Sequence, residues 1–565
     1  MAKSKRKTDR VPSQPLAMRR LALLTFSALG CLPLTLRAQP EDERLPNLTP
    51  SEFEIRGELQ IDLPQIERQP LFGFGPPPRT YVVPADRQAV TGPYDPPPLS
   101  SLVLPAPPEP SFDLLAGQSG RVEGGFGRYV ARYGRFDFAV PSAAGSFFLD
   151  ADYDGLRRDC DDCASPDDAF DRLGATAGFR GFGRIRPRVE GSFFTDTYTL
   201  HGASSVSETP ERRRTGFALR TRLEADAVRV PFAVALRYAG TRVALTDDTP
   251  DALAEEGRLD TEAHVVLPVF SGLRFDGSYG TSGLDGALGS DVQHYSVGAA
   301  LQFGRPGAIQ LAVGARGLGY DASPAGGGGS HRTVAPVARL EVPFRTGRLY
   351  AHTEGRVVPR GLAELFSENP YAAHDALPRP DLHLVDAEGG LDLRPGPFGI
   401  RAWGGFQYSP VRLFFERDPL TNLYEANYDD SDTRILQGGV DLTASVPGLV
   451  EVSAGVAIRD GRLTTLEGEI PFFAPVVGHV GLQVLVAGGR GRLGLAGYFE
   501  DERPEDLLNT ETAPGWGTLS AEASGEVLRG LGVVLRGERL VGDAERWPGY
   551  PQAAGTIMGG ARLVW

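Results

Sequence analysis

Apolar and polar residues alternate along segments of 9–15 residues through most of the chain, from about residue 118 to residue 565. In one such segment, which begins at residue 273, Phe275 and Tyr279 share one side while Asp276 lies on the other. Successive side chains of a β-strand point to opposite faces, so this spacing predicts strands with one apolar and one polar face.

Short turns alternate with mostly longer polar connections in this region, among them residues 359–380 and 410–432. A soluble β-sandwich would also show alternating residues along its strands. Short connections at one end of the strands and long ones at the other are expected of a transmembrane barrel, because one end faces the periplasm and the other faces the outside of the cell. With both chain ends at the short-turn side, ten turns and eleven loops require about 22 strands. The ten turns are predicted at residues 142–145, 181–183, 225–226, 268–272, 304–307, 345–347, 394–397, 446–448, 488–490 and 529–531.

The fold class follows from the hydrogen bonds of the backbone. Lipid offers no partners for N–H and C=O groups, so an open sheet is excluded and the strands must close on themselves. The sequence therefore predicts an all-β protein, a closed antiparallel transmembrane β-barrel over residues 118–565. Polar side chains on alternate positions would face a wet interior, since a basic residue facing the middle of the bilayer costs about 2–4 kcal/mol.

Residues 1–117 differ from the barrel region. In residues 1–38, basic residues precede an apolar run of about 16 residues, which is typical of a secretory signal peptide and short for the ~20 residues of a spanning helix. Residues 39–117 are rich in Pro, which predicts an irregular segment that is periplasmic or enters the lumen, with the N-terminus in the periplasm. Within it, residues 53–63 alternate like a strand that could pair with a periplasmic protein.

Charge and motifs exclude several classes of function. The whole chain has a formal net charge of −14, and removal of residues 1–38 leaves 50 basic and 71 acidic residues, so nucleic acid is not expected as a partner. Nucleophile elbows, phosphate-binding loops and metal-ligand motifs are not found, so no catalytic residue, cofactor or metal is predicted and the protein is not expected to be an enzyme. Cys160 and Cys163 are predicted to form a small disulfide in a loop, with a metal site as the less favoured alternative.

The last strand carries a second signal. Leu563 and Trp565 share its apolar face, and Trp565 is the final residue. This ending resembles the C-terminal strand by which bacterial outer-membrane barrels are recognised for assembly. The resemblance implies the barrel-assembly machinery as a partner and the lipid of the outer membrane as the surroundings.

A more specific resemblance lies in residues 362–393. Phe366, Asn369 and Pro370, followed by Glu388 and Gly390, resemble a loop and the strand after it in TonB-dependent receptors. Members of that family are 22-stranded barrels that import scarce solutes with energy passed through the TonB complex. The resemblance implies that this chain transports or admits a solute across the outer membrane.

The chain departs from that family before the barrel. Only 79 residues, 39–117, lie between the predicted signal peptide and the first strand, and they lack the length and apolar core of a plug domain. The plug is therefore predicted to be lacking, and contact with the TonB complex is left open because no convincing TonB box is found. Inward-folded loops or the Pro-rich segment would then have to occlude the lumen. The alternative function is a structural or adaptor barrel whose N-terminal segment docks a periplasmic or outer-membrane partner.

Overall fold

The computed structural model describes residues 119–565 apart from short gaps. The chain divides into two units, Met1–Glu67 and Arg68–Trp565, and all described residues belong to the second. The predictions for residues 1–38 and 39–117, and that for Cys160 and Cys163, lie outside the described residues. The gaps are residues 143, 157–169, 201–210, 226–228, 246–253, 270–271, 286–288, 305–307, 325–328, 420, 430–431, 465–467, 487–489, 542–545 and 551–554.

Twenty-two long strands form one antiparallel sheet, as the alternation predicted. They are β1 (Ser119–Gly127), β2 (Arg132–Ser142), β3 (Gly145–Leu156), β4 (Phe170–Gly181), β5 (Arg186–Thr199), β6 (Glu211–Ala225), β7 (Phe232–Leu245), β8 (Ala254–Leu267), β9 (Leu273–Asp285), β10 (Ser290–Phe303), β11 (Gln310–Pro324), β12 (Ser330–Phe344), β13 (Gly347–Val358), β14 (Asp381–Leu393), β15 (Phe398–Ser409), β16 (Thr433–Val446), β17 (Val450–Leu463), β18 (Val476–Val486), β19 (Gly491–Glu500), β20 (Trp516–Leu528), β21 (Leu531–Glu538) and β22 (Thr556–Val564).

The sheet closes where the last strand meets the first. β22 pairs with β1 in antiparallel register, with Arg121 opposite Val564 and Gly127 opposite Met558. Beyond the register, Gly120 and Trp565 exchange two backbone hydrogen bonds of 3.0 Å. Neither terminal strand is left with a free edge, which is the condition for placing a β-sheet in lipid.

Each of the ten predicted short turns falls between two consecutive strands, at the end of the barrel where β1 begins and β22 finishes. Glycines with positive φ allow two of them, Gly448 at +75° and Gly530 at +79°. At the other end the connections are less uniform than expected. Those after β1, β9 and β11 are only four or five residues long, whereas those after β13 and β15 have 22 and 23 residues.

The two faces of the strands separate as the alternation predicted. On β16 the apolar Leu436 and Val440 are 62 % and 40 % exposed and face outward, while Asp441 faces the interior. On β9, Phe275 and Tyr279 face outward and Asp276 is turned inward, where it pairs with Arg316 of β11. An outward apolar surface around a closed wall is the surface that hydrocarbon solvates.

Three of the long loops contain secondary structure that the sequence analysis did not predict. The loop after β13 forms the helix α1, Leu362–Glu368. The loop after β15 forms a hairpin of Arg412–Arg417 and Tyr424–Asp429, and the loop after β19 pairs Arg503–Pro504 with Thr512–Ala513. A further two-residue strand, Gly468–Glu469, extends the main sheet beside β17. Among the described residues, no helix is both long and apolar enough to cross a membrane.

The outward and inward faces of β16 should respond differently to the same charge. Val440→Arg places a guanidinium among outward apolar side chains and should lower the free energy of unfolding by about 2–4 kcal/mol, whereas Thr443→Arg on the inward face should change it by less than about 1 kcal/mol. Urea unfolding of the barrel in lipid vesicles measures both. Equal effects of the two substitutions would contradict the assignment of the faces.

Candidate functional site

The long loops that the structure describes fold together over the end of the barrel opposite the short turns. We use the name loop cap for the described residues of 359–380, 410–429 and 546–550. Its apolar side chains pack against the ends of strands β7 and β9 and share one buried cluster with them. That cluster consists of Leu200, Val243, Leu245, Leu284, Leu362, Leu365, Phe366, Ala372, Ala376, Leu413, Phe415, Leu423, Tyr424, Trp547 and Tyr550.

Helix α1 docks on the part of the inner wall formed by strands β6, β7 and β8, five to seven strands away from β13. Arg212 of β6 is completely buried, and its guanidinium lies 4.7 Å from the centre of the Phe366 ring. The same guanidinium donates a hydrogen bond of 2.8 Å to the carbonyl oxygen of Pro370, which also accepts one of 2.6 Å from the hydroxyl of Tyr198. Because β6 and β13 are seven strands apart, these contacts cross the interior of the barrel.

Carboxylates hold the first turn of α1. Glu256 of β8 accepts a hydrogen bond of 2.6 Å from the Leu362 amide, one of the N–H groups that a helix start leaves unpaired. Glu364 accepts a hydrogen bond of 3.1 Å from the Gly361 amide and pairs with Arg237 at 3.2 Å and Arg258 at 3.6 Å. The negative charge of Glu364 therefore lies at the positive end of the helix dipole.

The protonation of Glu364 follows from this environment. Burial raises the pKa of its carboxyl, but the guanidiniums of Arg258 and Arg237 outweigh burial and hold that pKa below its ordinary value. A lowered pKa means that the contribution of Glu364 to stability is present above the ordinary carboxyl pKa and is lost as the pH falls below it. The attachment of α1 should accordingly weaken in acid.

A second ion pair joins the two ends of the loop after β13. Arg360 bonds to Asp381 at 2.7 Å and also pairs with Glu368. Burial lowers the pKa of Arg360, but the two carboxylates outweigh burial and raise that pKa well above its ordinary value. Asp381 also accepts a hydrogen bond of 2.8 Å from the Leu413 amide, so this pair ties the loop after β13 to the hairpin after β15.

Aromatic rings connect the remaining loops. The ring centroid of Tyr424 lies 4.9 Å from that of Trp547. The hydroxyl of Tyr424 donates a hydrogen bond of 2.8 Å to the carbonyl oxygen of Pro548. Tyr371 stacks on Tyr550 with the ring centroids 3.8 Å apart, and Phe472 lies 5.1 Å from Trp547. Rings at these distances add to the free energy of burial. Loops from four different connections are thereby joined in one packed unit.

A polar pocket of about 120 Å³ lies beneath α1. Glu364 reaches it from the helix, and the inner wall contributes both positive and negative side chains. His294 lies 3.5 Å from Asp260, which also pairs with Arg258 at 2.8 Å. Among the described residues, no group of three or more His, Cys, Asp or Glu is placed to hold a metal ion. The charged side chains that line the pocket are Arg220, Arg237, Arg258, Asp260, Glu262 and Glu364.

The structure divides the residues that carried the family resemblance between two places. Phe366, Asn369 and Pro370 lie in the loop cap, and the first two are completely buried. Glu388 and Gly390 lie on β14, where Glu388 accepts a hydrogen bond of 2.8 Å from Tyr350 and pairs with Arg401 at 2.6 Å. They belong to the wall of the barrel.

At the C-terminus, Leu563 is 49 % exposed on the outward face of β22. Trp565 follows the strand and bonds through its backbone to Gly120. Both positions fit a terminal strand that faces lipid and closes the barrel. Their role in assembly stays a prediction.

Sequence reasoning missed the wall residues that receive the loop cap. Arg212, Arg237, Glu256 and Arg258 lie on strands where charged residues were expected only to face water. In the structure, Arg212 lies on the inward face of β6. Its partner Pro370 is 158 positions away, and no local pattern links positions so far apart.

No family model matches the chain, and no curated protein matches it. Solved structures do resemble it. The copper transporter OprC is 13 % identical, with 80 % of each chain covered and a TM-score of 0.59. The ferric preacinetobactin receptor BauA from Acinetobacter baumannii is 13 % identical over 79 % of this chain and 80 % of its own, with a TM-score of 0.58. The FrpB iron transporter from Neisseria meningitidis is 10 % identical over 80 % of this chain and 82 % of its own, with a TM-score of 0.61.

These similarities concern the fold. The expected likeness to the 22-stranded barrel of TonB-dependent receptors is confirmed at that level. All three solved proteins are named as transporters or receptors, and none is named as an enzyme. The prediction that the plug is lacking concerns residues 39–117, which lie outside the described residues.

Removing an aromatic ring from the loop cap should loosen the cap and leave the barrel folded. Trp547→Ala deletes a buried ring that contacts Phe415, Tyr424 and Phe472, and the cavity should destabilise the cap by about 3–5 kcal/mol. Hydrogen exchange in residues 410–429 should become faster, while the 22 strands stay protected.

The matched control is Phe499→Ala, which removes an outward ring of β19 that is 48 % exposed. It should leave exchange in the cap unchanged. If both variants left residues 410–429 equally protected, the aromatic rings would not hold the cap together.

Proposed function

We propose that the protein is an outer-membrane transport barrel whose lumen is closed toward the outside by the loop cap. The short-turn end faces the periplasm and the long loops face outward, as in barrels of this kind. The three similar solved proteins are named as transporters or receptors, which supports the passage of a solute through the barrel. No catalytic role is proposed.

The observation that carries the proposal is the apolar cluster shared by the loop cap and the ends of strands β7 and β9. It joins Leu365 and Phe366 of α1 to Val243 of β7 and Leu284 of β9. Each fully buried side chain of this size contributes about 1.5–3 kcal/mol relative to exposure. Closed loops are therefore the favoured state, and a solute must supply contacts that compensate for opening them.

The hydrogen bonds and the ion pair at α1 give the cap a defined place of attachment. Arg212, Glu256 and Glu364 hold the start and the end of the helix against strands β6, β7 and β8. Truncation of one partner leaves the other buried without its counterpart, and that is more costly than loss of an exposed pair. We propose that release of these contacts is the step by which the loops open.

The proposal extends to the ends of the chain. Residues 1–38 direct export and are removed, and residues 39–117 remain on the periplasmic side as a Pro-rich segment. The terminal strand with Leu563 and Trp565 directs assembly in the outer membrane. The order of basic and apolar residues supports the first statement, and the outward face of β22 supports the last.

Conductance in planar bilayers tests the closed state. The wild-type protein should pass little current, because the loop cap blocks the mouth. The double variant Arg212→Ala/Glu364→Ala should show large and steady openings, and cells that express it should become sensitive to a large hydrophilic antibiotic. The matched control Arg339→Ala/Glu341→Ala removes an inner-wall pair of 3.5 Å that lies away from the cap, and it should behave as the wild type does.

Large steady currents through the wild-type barrel would contradict closure by the loops. If the double variant folded but neither conducted nor admitted the antibiotic, Arg212 and Glu364 would not be the contacts whose release opens the loops.

A further inference from the structure

The pocket beneath α1 carries equal numbers of positive and negative groups. Three arginines and three acidic residues line it, so with a neutral His294 their formal charges cancel. Four of these groups are joined in pairs, Arg237 with Glu364 and Arg258 with Asp260. A ligand with a net charge would leave that charge without a counterpart in a largely enclosed site, which is costly. The balance therefore favours a ligand that is neutral overall.

Small side chains make the space between the charged groups. Ala235 of β7 and Ser278 of β9 lie directly opposite Glu262 of β8, one on each side. Nearer the cap, Gly280 of β9 lies opposite Asp260, and a Cβ there would collide with that carboxylate. The resulting volume of about 120 Å³ is roughly four times the ~30 Å³ that a water molecule takes up in the liquid. The pocket therefore admits a molecule of only a few non-hydrogen atoms.

Two of the lining residues offer anchors of opposite charge. The side chain of Arg237 is 35 % exposed, and among the described residues its guanidinium donates one hydrogen bond, of 3.2 Å, to Glu364. A guanidinium has five N–H donors, so others are open to a ligand. Glu262 is exposed within the barrel. Because Arg237 lies opposite Asp260, it is a diagonal neighbour of Glu262, about 7–8 Å away in an antiparallel sheet.

We infer that the pocket binds a small zwitterion of the amino-acid type, with its carboxylate on Arg237 and its ammonium group on Glu262. Such charge-assisted hydrogen bonds are stronger than neutral ones. This inference rests on the proposed function, since the zwitterion would be the solute, or the polar end of the solute, that passes through the barrel. Its carboxylate would compete with Glu364 for Arg237, so binding would weaken the attachment of α1.

Saturation-transfer NMR of the full-length barrel in deuterated detergent at neutral pH measures the binding. The probes are glycine, glycolate and glycinamide, which are nearly equal in size and each carry a CH₂ group. They are a zwitterion, an anion and a cation, respectively. We expect saturable transfer to glycine, with a dissociation constant roughly tenfold or more below that of either other probe.

The first test variant is Ala235→Leu, which fills the pocket without changing its charge and should abolish transfer to glycine. Its matched control is Ala312→Leu, the same enlargement on β11, where Ala312 lies opposite Arg339 near the short turns. The control should bind glycine as the wild type does. Heat-modifiable migration in SDS gels verifies that each variant is folded.

The second test variant is Glu262→Gln, which removes the proposed partner of the ammonium group and leaves Arg237 in place. Glycine should bind roughly tenfold more weakly to this variant, and glycolate should bind more tightly than it does to the wild type. This change of preference separates a role in recognition from a role in folding.

Three results would overturn the inference. They are the absence of saturable transfer to glycine in the folded wild type, equal binding of glycine and one of the other two probes, and unchanged binding of glycine by Ala235→Leu. None of them depends on whether the barrel conducts. A wild-type barrel that binds glycine but conducts freely would refute closure by the loops alone, and a closed barrel that does not bind glycine would refute this inference alone.

Discussion

Backbone hydrogen bonding in lipid governs the rest of this structure. A strand within the bilayer core must find all its partners on neighbouring strands, since no water is present to replace them. The pairing of β1 with β22 removes the last free edge, and the bonds between Gly120 and Trp565 continue it to the final residue. Closure then fixes the two environments of every strand, with hydrocarbon outside and a polar interior inside.

A wall built in this way has its apolar residues on the outside, so the interior of the barrel has no apolar core of its own. The loops supply such a core. The loops form a small apolar core of the kind found in soluble domains, with Leu365, Phe366, Tyr424 and Trp547 among its members. This core packs against the ends of β7 and β9 that lie next to the cap. Buried ions at Arg212 and Glu364 fix where that core sits. The barrel thus combines a lipid-solvated wall with a conventionally packed cap.

The wall could be predicted from the sequence because its determinants are local. Alternation by two residues identifies the faces, and turn residues such as Gly448 and Gly530 identify the short turns. The cap could not be predicted in this way. Leu362, Leu365 and Phe366 have helical spacing over only two turns, within a loop that contains several prolines. Contacts such as that between Arg212 and Pro370 join distant segments, and only the closed barrel brings them together.

The separation of the two faces can be measured directly along β16. In a background with Cys160 and Cys163 replaced by serine, nitroxide labels at positions 433–446 report their surroundings through collisions with oxygen and with a water-soluble nickel complex. The account predicts an alternation with a period of two residues, with oxygen favoured at Leu436, Val440 and Leu442 and nickel at Asp441 and Thr443. Equal accessibility of both faces to the nickel complex would contradict a wall solvated by lipid.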